Sequence, residues 1–154
     1  MKKYIAVIAL TVTLVMLPSA CRKTVTSSNP KVLAVNALFD ASDVSHEISN
    51  GLGAADETLK QLQATEPQYY AAAKPYLQEI AKANDKAIAA IRAAQAGDDS
   101  VDWRASLLAV ASKASSFDPA TFGFKNSNSQ KLVITGFNLL RITLAVIPQK
   151  FGGK

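Results

Sequence analysis

The chain is poor in the residues from which most metal, redox and nucleophilic sites are built. Its 154 residues include one cysteine, Cys21, and one histidine, His46, and the two methionines stand at positions 1 and 16. A single cysteine excludes an internal disulfide framework, a cysteine-rich zinc site and a c-type haem attachment. Aromatic side chains make up only 7% of the sequence, with one tryptophan. Together with the abundance of alanine, that scarcity favours closely packed helices over a β-sandwich. No glycine-rich phosphate loop and no G-x-S-x-G nucleophile turn occurs, and a Ser-His-Asp arrangement would have to use His46. The surplus of positive charge is small. The formal charge is +5, and residues 22–154 carry 15 basic and 12 acidic groups, too even a balance for a nucleic-acid-binding surface. What is present is 49% hydrophobic residues, enough for the core of one domain of ordinary size.

The N-terminus has the three parts of a secretory signal: Lys2 and Lys3, an apolar run over residues 5–17, and the small residues Ser19 and Ala20. The run is shorter than the roughly 20 residues that cross a bilayer, which disfavours an uncleaved membrane helix. Cys21 follows directly. Leu17-Pro18-Ser19-Ala20-Cys21 resembles the lipobox of bacterial lipoprotein precursors, with Pro18 where the family usually has leucine. The resemblance covers residues 1–21 only. It implies cleavage before Cys21, acylation of that cysteine with chains such as palmitate, and retention at a membrane of the bacterial cell envelope, periplasmic or on the outer surface. Simple secretion is the alternative. Lipidation would also account for a lone thiol in an exported chain.

Residues 21–29 are expected to form the lipidated cysteine and a polar tether, residues 30–148 a helical bundle, and residues 149–154 a flexible tail. Asn29-Pro30 is a helix start, since Asn accepts from a free backbone amide and Pro is tolerated in the first turn. Leu38, Ala41, Ser45, Ile48, Leu52, Ala55, Leu59 and Leu62 then recur every three or four residues along one stripe, with Gly51 and Gly53 weakening its middle. Thr65 and Gln68 suggest a capping box for a second helix. Its stripe is Tyr70, Ala73, Leu77, Ile80, Asn84, Ala87, Ile91 and Ala94, and Pro75 should kink it. A third helix is expected from about Ser100, capped there or by Asp99, with Trp103, Leu107, Val110 and Ala114 inward. Asp118-Pro119 and Phe122-Gly123-Phe124 read as a longer connection. After residues 126–129, the last helix spreads Leu132, Val133, Phe137, Leu139, Leu140, Leu144, Val146 and Ile147 over more than half its circumference. It should be the most buried element, with Leu139 inside. The stretch 132–147 is short for a membrane span and contains Asn138 and Arg141. The expected fold is an all-α antiparallel bundle of two long and two shorter helices.

Residues 30–102 carry 6 basic and 11 acidic groups, whereas residues 103–154 carry 7 basic and 1 acidic. Opposite fields of this kind should help the two halves dock. Asp40, Asp43 and Glu47 have the spacing of one helical face, and His46 follows Asp43 by three. Carboxylate-x-x-His is half of the motif of ferritin-like di-iron bundles, which need a second histidine that this chain does not have. The face is therefore read as solvated carboxylates and no metal or cofactor is expected. With Asp56 and Glu57, these residues form the candidate interaction surface for a basic protein partner. Asn84 on the inward stripe is expected to fix helix register by hydrogen bonding. Tyr69, Tyr70 and Tyr76 could gather into an aromatic patch. Ala73, Ala87, Ala94 and Gly136 point to close helix approach, or alternatively to a ligand cavity between helices. The expected function is a non-enzymatic structural or protein-interaction module, anchored to a membrane through Cys21, with ligand binding as the alternative.

Overall fold

The computed structural model describes residues 28–115, 124 and 126–152. The expected signal sequence, Cys21, most of the expected tether and residues 153–154 lie outside them, as do Asp118-Pro119 and Phe122-Gly123. Among the described residues there are four helices and no strand: α1 (Pro30–Leu62), α2 (Pro67–Gln95), α3 (Trp103–Ser115) and α4 (Ser127–Phe151). The chain is an all-α bundle. Three of the helices are long, at 33, 29 and 25 residues, and only α3 is short, at 13.

α1 begins as its sequence dictates. Asn29 is extended, its side-chain oxygen accepts from the Lys31 amide at 3.0 Å, and Pro30 occupies the first turn. Gly51 does not interrupt it. A Cβ at position 51 would come within 3.0 Å of the Leu140 Cα, so this glycine lets α4 approach rather than breaking the helix.

The start of α2 differs from the expected capping box. Thr65 and Glu66 both return their amides to the Leu62 carbonyl. The chain therefore enters α2 one residue later, with Glu66 at the cap position and no side-chain cap bond. α2 runs unbroken through Pro75 and ends on Gly97, whose φ of 93° is readily reached only without a side chain. There the Asp98 amide donates to Ala93 and the Gly97 amide to Ala94, which satisfies two of the last carbonyls. The α3 cap also shifts, from Ser100 or Asp99 to Asp102, whose carboxylate accepts from the Ala105 amide at 2.9 Å. Ser100 instead donates its hydroxyl and its amide to Asp98, and these bonds hold the Asp98 carboxyl below the usual carboxylate range.

α4 is capped by Asn126 and extends past the expected boundary at 148 to Phe151. Phe151 is buried, with its ring edge-on to Trp103 at a centroid distance of 5.8 Å. The last helical turn thus belongs to the core rather than to a flexible tail.

α1 packs on α2 and α4, and α3 packs on α2 and α4, closing a ring around one core. The Asp40–Lys150 ion pair, the Gly51–Leu140 contact and the Thr58–Gly136 contact step in opposite senses along α1 and α4, so these two helices run antiparallel. The core is built from Ile48, Leu59, Ile80, Ile91, Leu107, Val110, Phe137 and Ile147 with their neighbours. Both long stripes face it as their spacing predicts. α4 has the largest buried share of the four helices, but it is buried on one side only and not around more than half its circumference. Leu132, Ile134, Leu139, Ile142 and Val146 are exposed, with Leu139 at 49%. In this ring α4 has two principal neighbours, which cover the side bearing Val133, Phe137, Leu140 and Ile147; apolar residues on the rest of the circumference face outward.

Candidate functional site

The five carboxylates of the candidate interaction surface do not form one strip. Asp56 follows Asp40 by 16 residues, which places it about 160° around the helix. Asp40 lies on the flank facing α4 and pairs with Lys150 at 3.1 Å. Asp56 and Glu57 hold Lys60 between them at 2.9 and 2.8 Å, and the Glu57 and Asp56 hydrogen bonds keep the Lys60 ammonium above its ordinary range. Asp43 and Glu47 are exposed and form no ion pair among the described residues. The acidic surface open to a partner is therefore centred on Asp43 and Glu47, with the other three carboxylates engaged inside the chain.

His46 is exposed on the same helix. With Ser42, Ser45, Ile88, Ile91 and Arg92 it borders a recess of about 10 Å³, room for a single water at most. Among the described residues no three His, Cys, Asp or Glu side chains converge as a metal site.

Asn84 is 1% exposed and joins α2 to α1. Its amide nitrogen donates to the Ser45 carbonyl at 3.1 Å and to the Ser49 hydroxyl oxygen at 3.0 Å. The Ser45 hydroxyl donates to Ala41, and the Ser49 hydroxyl to Ser45. The orientation is fixed, because reversing the amide would set its oxygen against the Ser45 carbonyl, acceptor against acceptor. Its own oxygen is buried without a hydrogen-bond partner among the described residues. Asn84→Ala is expected to lower unfolding stability by about 1–2 kcal/mol, measured by urea titration. An unchanged midpoint would mean that the clasp contributes nothing to register.

The tyrosines occupy three separate places instead of one patch. Tyr69 is buried against Phe124 at a centroid distance of 4.5 Å. The Tyr70 hydroxyl oxygen accepts from the Lys74 ammonium at 2.6 Å. Tyr76 is exposed and lines a surface recess of about 480 Å³ with Pro75, Glu79 and Lys113. A second recess of about 380 Å³ continues from it past Lys82, Lys86 and Ser106. The two share Glu79 and Lys113, which pair across α2 and α3 at 3.2 Å. Sequence reasoning missed this groove. Its only signal was Glu79, Lys82 and Lys86 at spacings of three and four on one helical face. The groove is open to solvent, whereas three of the four small residues lie in tight seams: Ala73 and Ala87 are fully buried and Gly136 touches Thr58, while Ala94 is half-buried.

The division of charge survives folding. α3 and α4 contain Arg104, Lys113, Lys131, Arg141 and Lys150 and no Asp or Glu. Lys113–Glu79 and Lys150–Asp40 join this side of the ring to the acidic helices, although as exposed pairs they contribute about 0–1 kcal/mol each. Comparison with protein-family models, with curated proteins and with solved structures finds no match to this chain.

Proposed function

We propose that the protein is a lipid-anchored component of the bacterial cell envelope, a non-enzymatic helical module with a structural or protein-interaction role at a membrane surface. One observation carries this reading: the order of Lys2-Lys3, the apolar run 5–17, Ser19-Ala20-Cys21 and a short polar stretch immediately before the capped start of α1. Among the described residues the buried core falls between Ala41 and Phe151. A multiply acylated Cys21 would hold the bundle at the membrane, each buried methylene contributing about 0.8 kcal/mol. The exposed Asp43 and Glu47 suit a basic envelope protein as partner. A non-catalytic role accords with His46, the sole histidine, standing on an exposed helical face.

The test is the mass of the N-terminal peptide of the protein recovered from the membrane fraction. An acylated peptide beginning at Cys21 is expected, and Cys21→Ser should leave the chain unprocessed. An intact Met1 terminus, or a Cys21→Ser chain processed and retained like the parent, overturns the anchor.

A further inference from the structure

α4 has two apolar faces, and the bundle uses one. Val133, Phe137, Leu140 and Ile147 enter the core, while Leu132, Ile134, Leu139, Ile142 and Val146 are between 37% and 57% exposed. Leu132, Leu139 and Val146 recur every seven residues and Ile142 falls between the last two, so these four run along the helix within an arc of about 80°, with Ile134 outside it. A continuous apolar face of this kind marks a surface that meets another phase or another molecule. By length and composition α4 is apolar enough to cross a bilayer, yet crossing would withdraw Phe137 and Ile147 from the core they help to build.

Charge decides what covers the face. α4 carries Lys131, Arg141 and Lys150 with no acidic residue, and Lys131 and Arg141 are exposed without an ion pair among the described residues. Two copies meeting α4 against α4 would bring like charges together. An anionic lipid surface accepts both the aliphatic groups and the cations. The place of the anchor agrees. Residues 22–29 span at most about 3.5 Å each, roughly 28 Å in all, and they enter α1 at the end where Asp40 pairs with Lys150, near the C-terminus of α4.

We infer that α4 lies in the plane of an anionic membrane surface, with Leu132, Leu139, Ile142 and Val146 among the acyl chains and Lys131 and Arg141, on the Ile142 flank of that stripe, reaching the headgroups. This rests on the envelope location proposed above and adds a second, non-covalent attachment to it.

The test uses residues 22–154, which contain all four helices, the core built among the described residues and the Asn29 cap, but not Cys21. Sedimentation with vesicles of phosphatidylglycerol and phosphatidylethanolamine is compared with vesicles of phosphatidylcholine alone. Binding to the anionic vesicles is expected, weaker by about tenfold or more on phosphatidylcholine or in high salt. Leu139→Gln with Ile142→Gln should lower it by at least about tenfold with the helical circular dichroism unchanged, because both positions are already exposed. An environment-sensitive label on Ile142→Cys, the sole thiol of that chain, should shift to the blue on the vesicles, and the same label on Gln78→Cys of α2 should not. Absence of binding, or binding indifferent to the paired substitution, overturns the inference. A lipid-independent dimer that the paired substitution returns to monomer also overturns it and gives the face to a second copy. The acyl anchor is read separately from the N-terminal mass, so one result can fail while the other stands.

Discussion

Replacing Phe137 by Ala is expected to lower unfolding stability by about 3–5 kcal/mol, whereas Leu139→Ala, two residues further along the same helix, should cost at most about 1 kcal/mol. Phe137 is 1% exposed and stands among the largest fully buried side chains, so truncation removes its transfer free energy and leaves a void that close-packed neighbours fill only in part. Leu139 is half in water already. The pair makes a sharp test because their identities alone suggest similar burial. Urea titrations of the two variants provide it. Equal losses would mean that α4 is rotated from the placement described here, with its other apolar face toward the core.

Gly136→Ala should also destabilise, by about 1–3 kcal/mol, although alanine is the better helix former by about 1 kcal/mol. A Cβ at position 136 would stand 2.8 Å from the Thr58 Cβ and closer still to its hydroxyl oxygen. A Cβ cannot rotate away, so α1 and α4 must separate. Gly53→Ala is the control, because nothing lies within 4 Å of its missing side chain; there the helix preference acts alone and a gain of about 0.5–1 kcal/mol is expected. Combining Gly136→Ala with Thr58→Ala should cost less than the sum of the two changes, by at least about 0.5 kcal/mol, because both act on one contact. Strict additivity in thermal or urea unfolding would show that the seam is looser than this geometry.

The long helices were legible because their apolar residues repeat at a single spacing, and burial of Ala41, Ile48, Leu59, Leu77, Ile80 and Ile91 follows from it directly. Asn84 was legible for the same reason: a polar residue in an apolar register must find its partners on the neighbouring helix. α4 was not, because a helix apolar on both sides has no stripe to show which side is the core. Thr65 misled because a one-residue shift in a turn moves a hydroxyl out of reach of the amides it would cap. Asp40, Asp43 and Glu47 share a helical face as their spacing predicts, whereas rotation turns Asp56 away, and the pairing of Asp40 with Lys150 and of Asp56 and Glu57 with Lys60 has no signature in that spacing. The α2/α3 groove joins residues more than twenty positions apart, so no local pattern announces it.

The ring of helices is closed by α4. Asp40 and Lys150 meet across 110 positions of sequence, and Trp103 receives Phe151 from the last helical turn. A chain released from the ribosome N-terminus first can pair α1 with α2 as soon as both have emerged. The second seam of α1, the one shaped by Gly51, must wait until α4 has emerged. Contacts of such long separation form slowly, so closure of the α1/α4 seam is the step expected to limit folding. Until then the chain is a three-helix intermediate with an open apolar side.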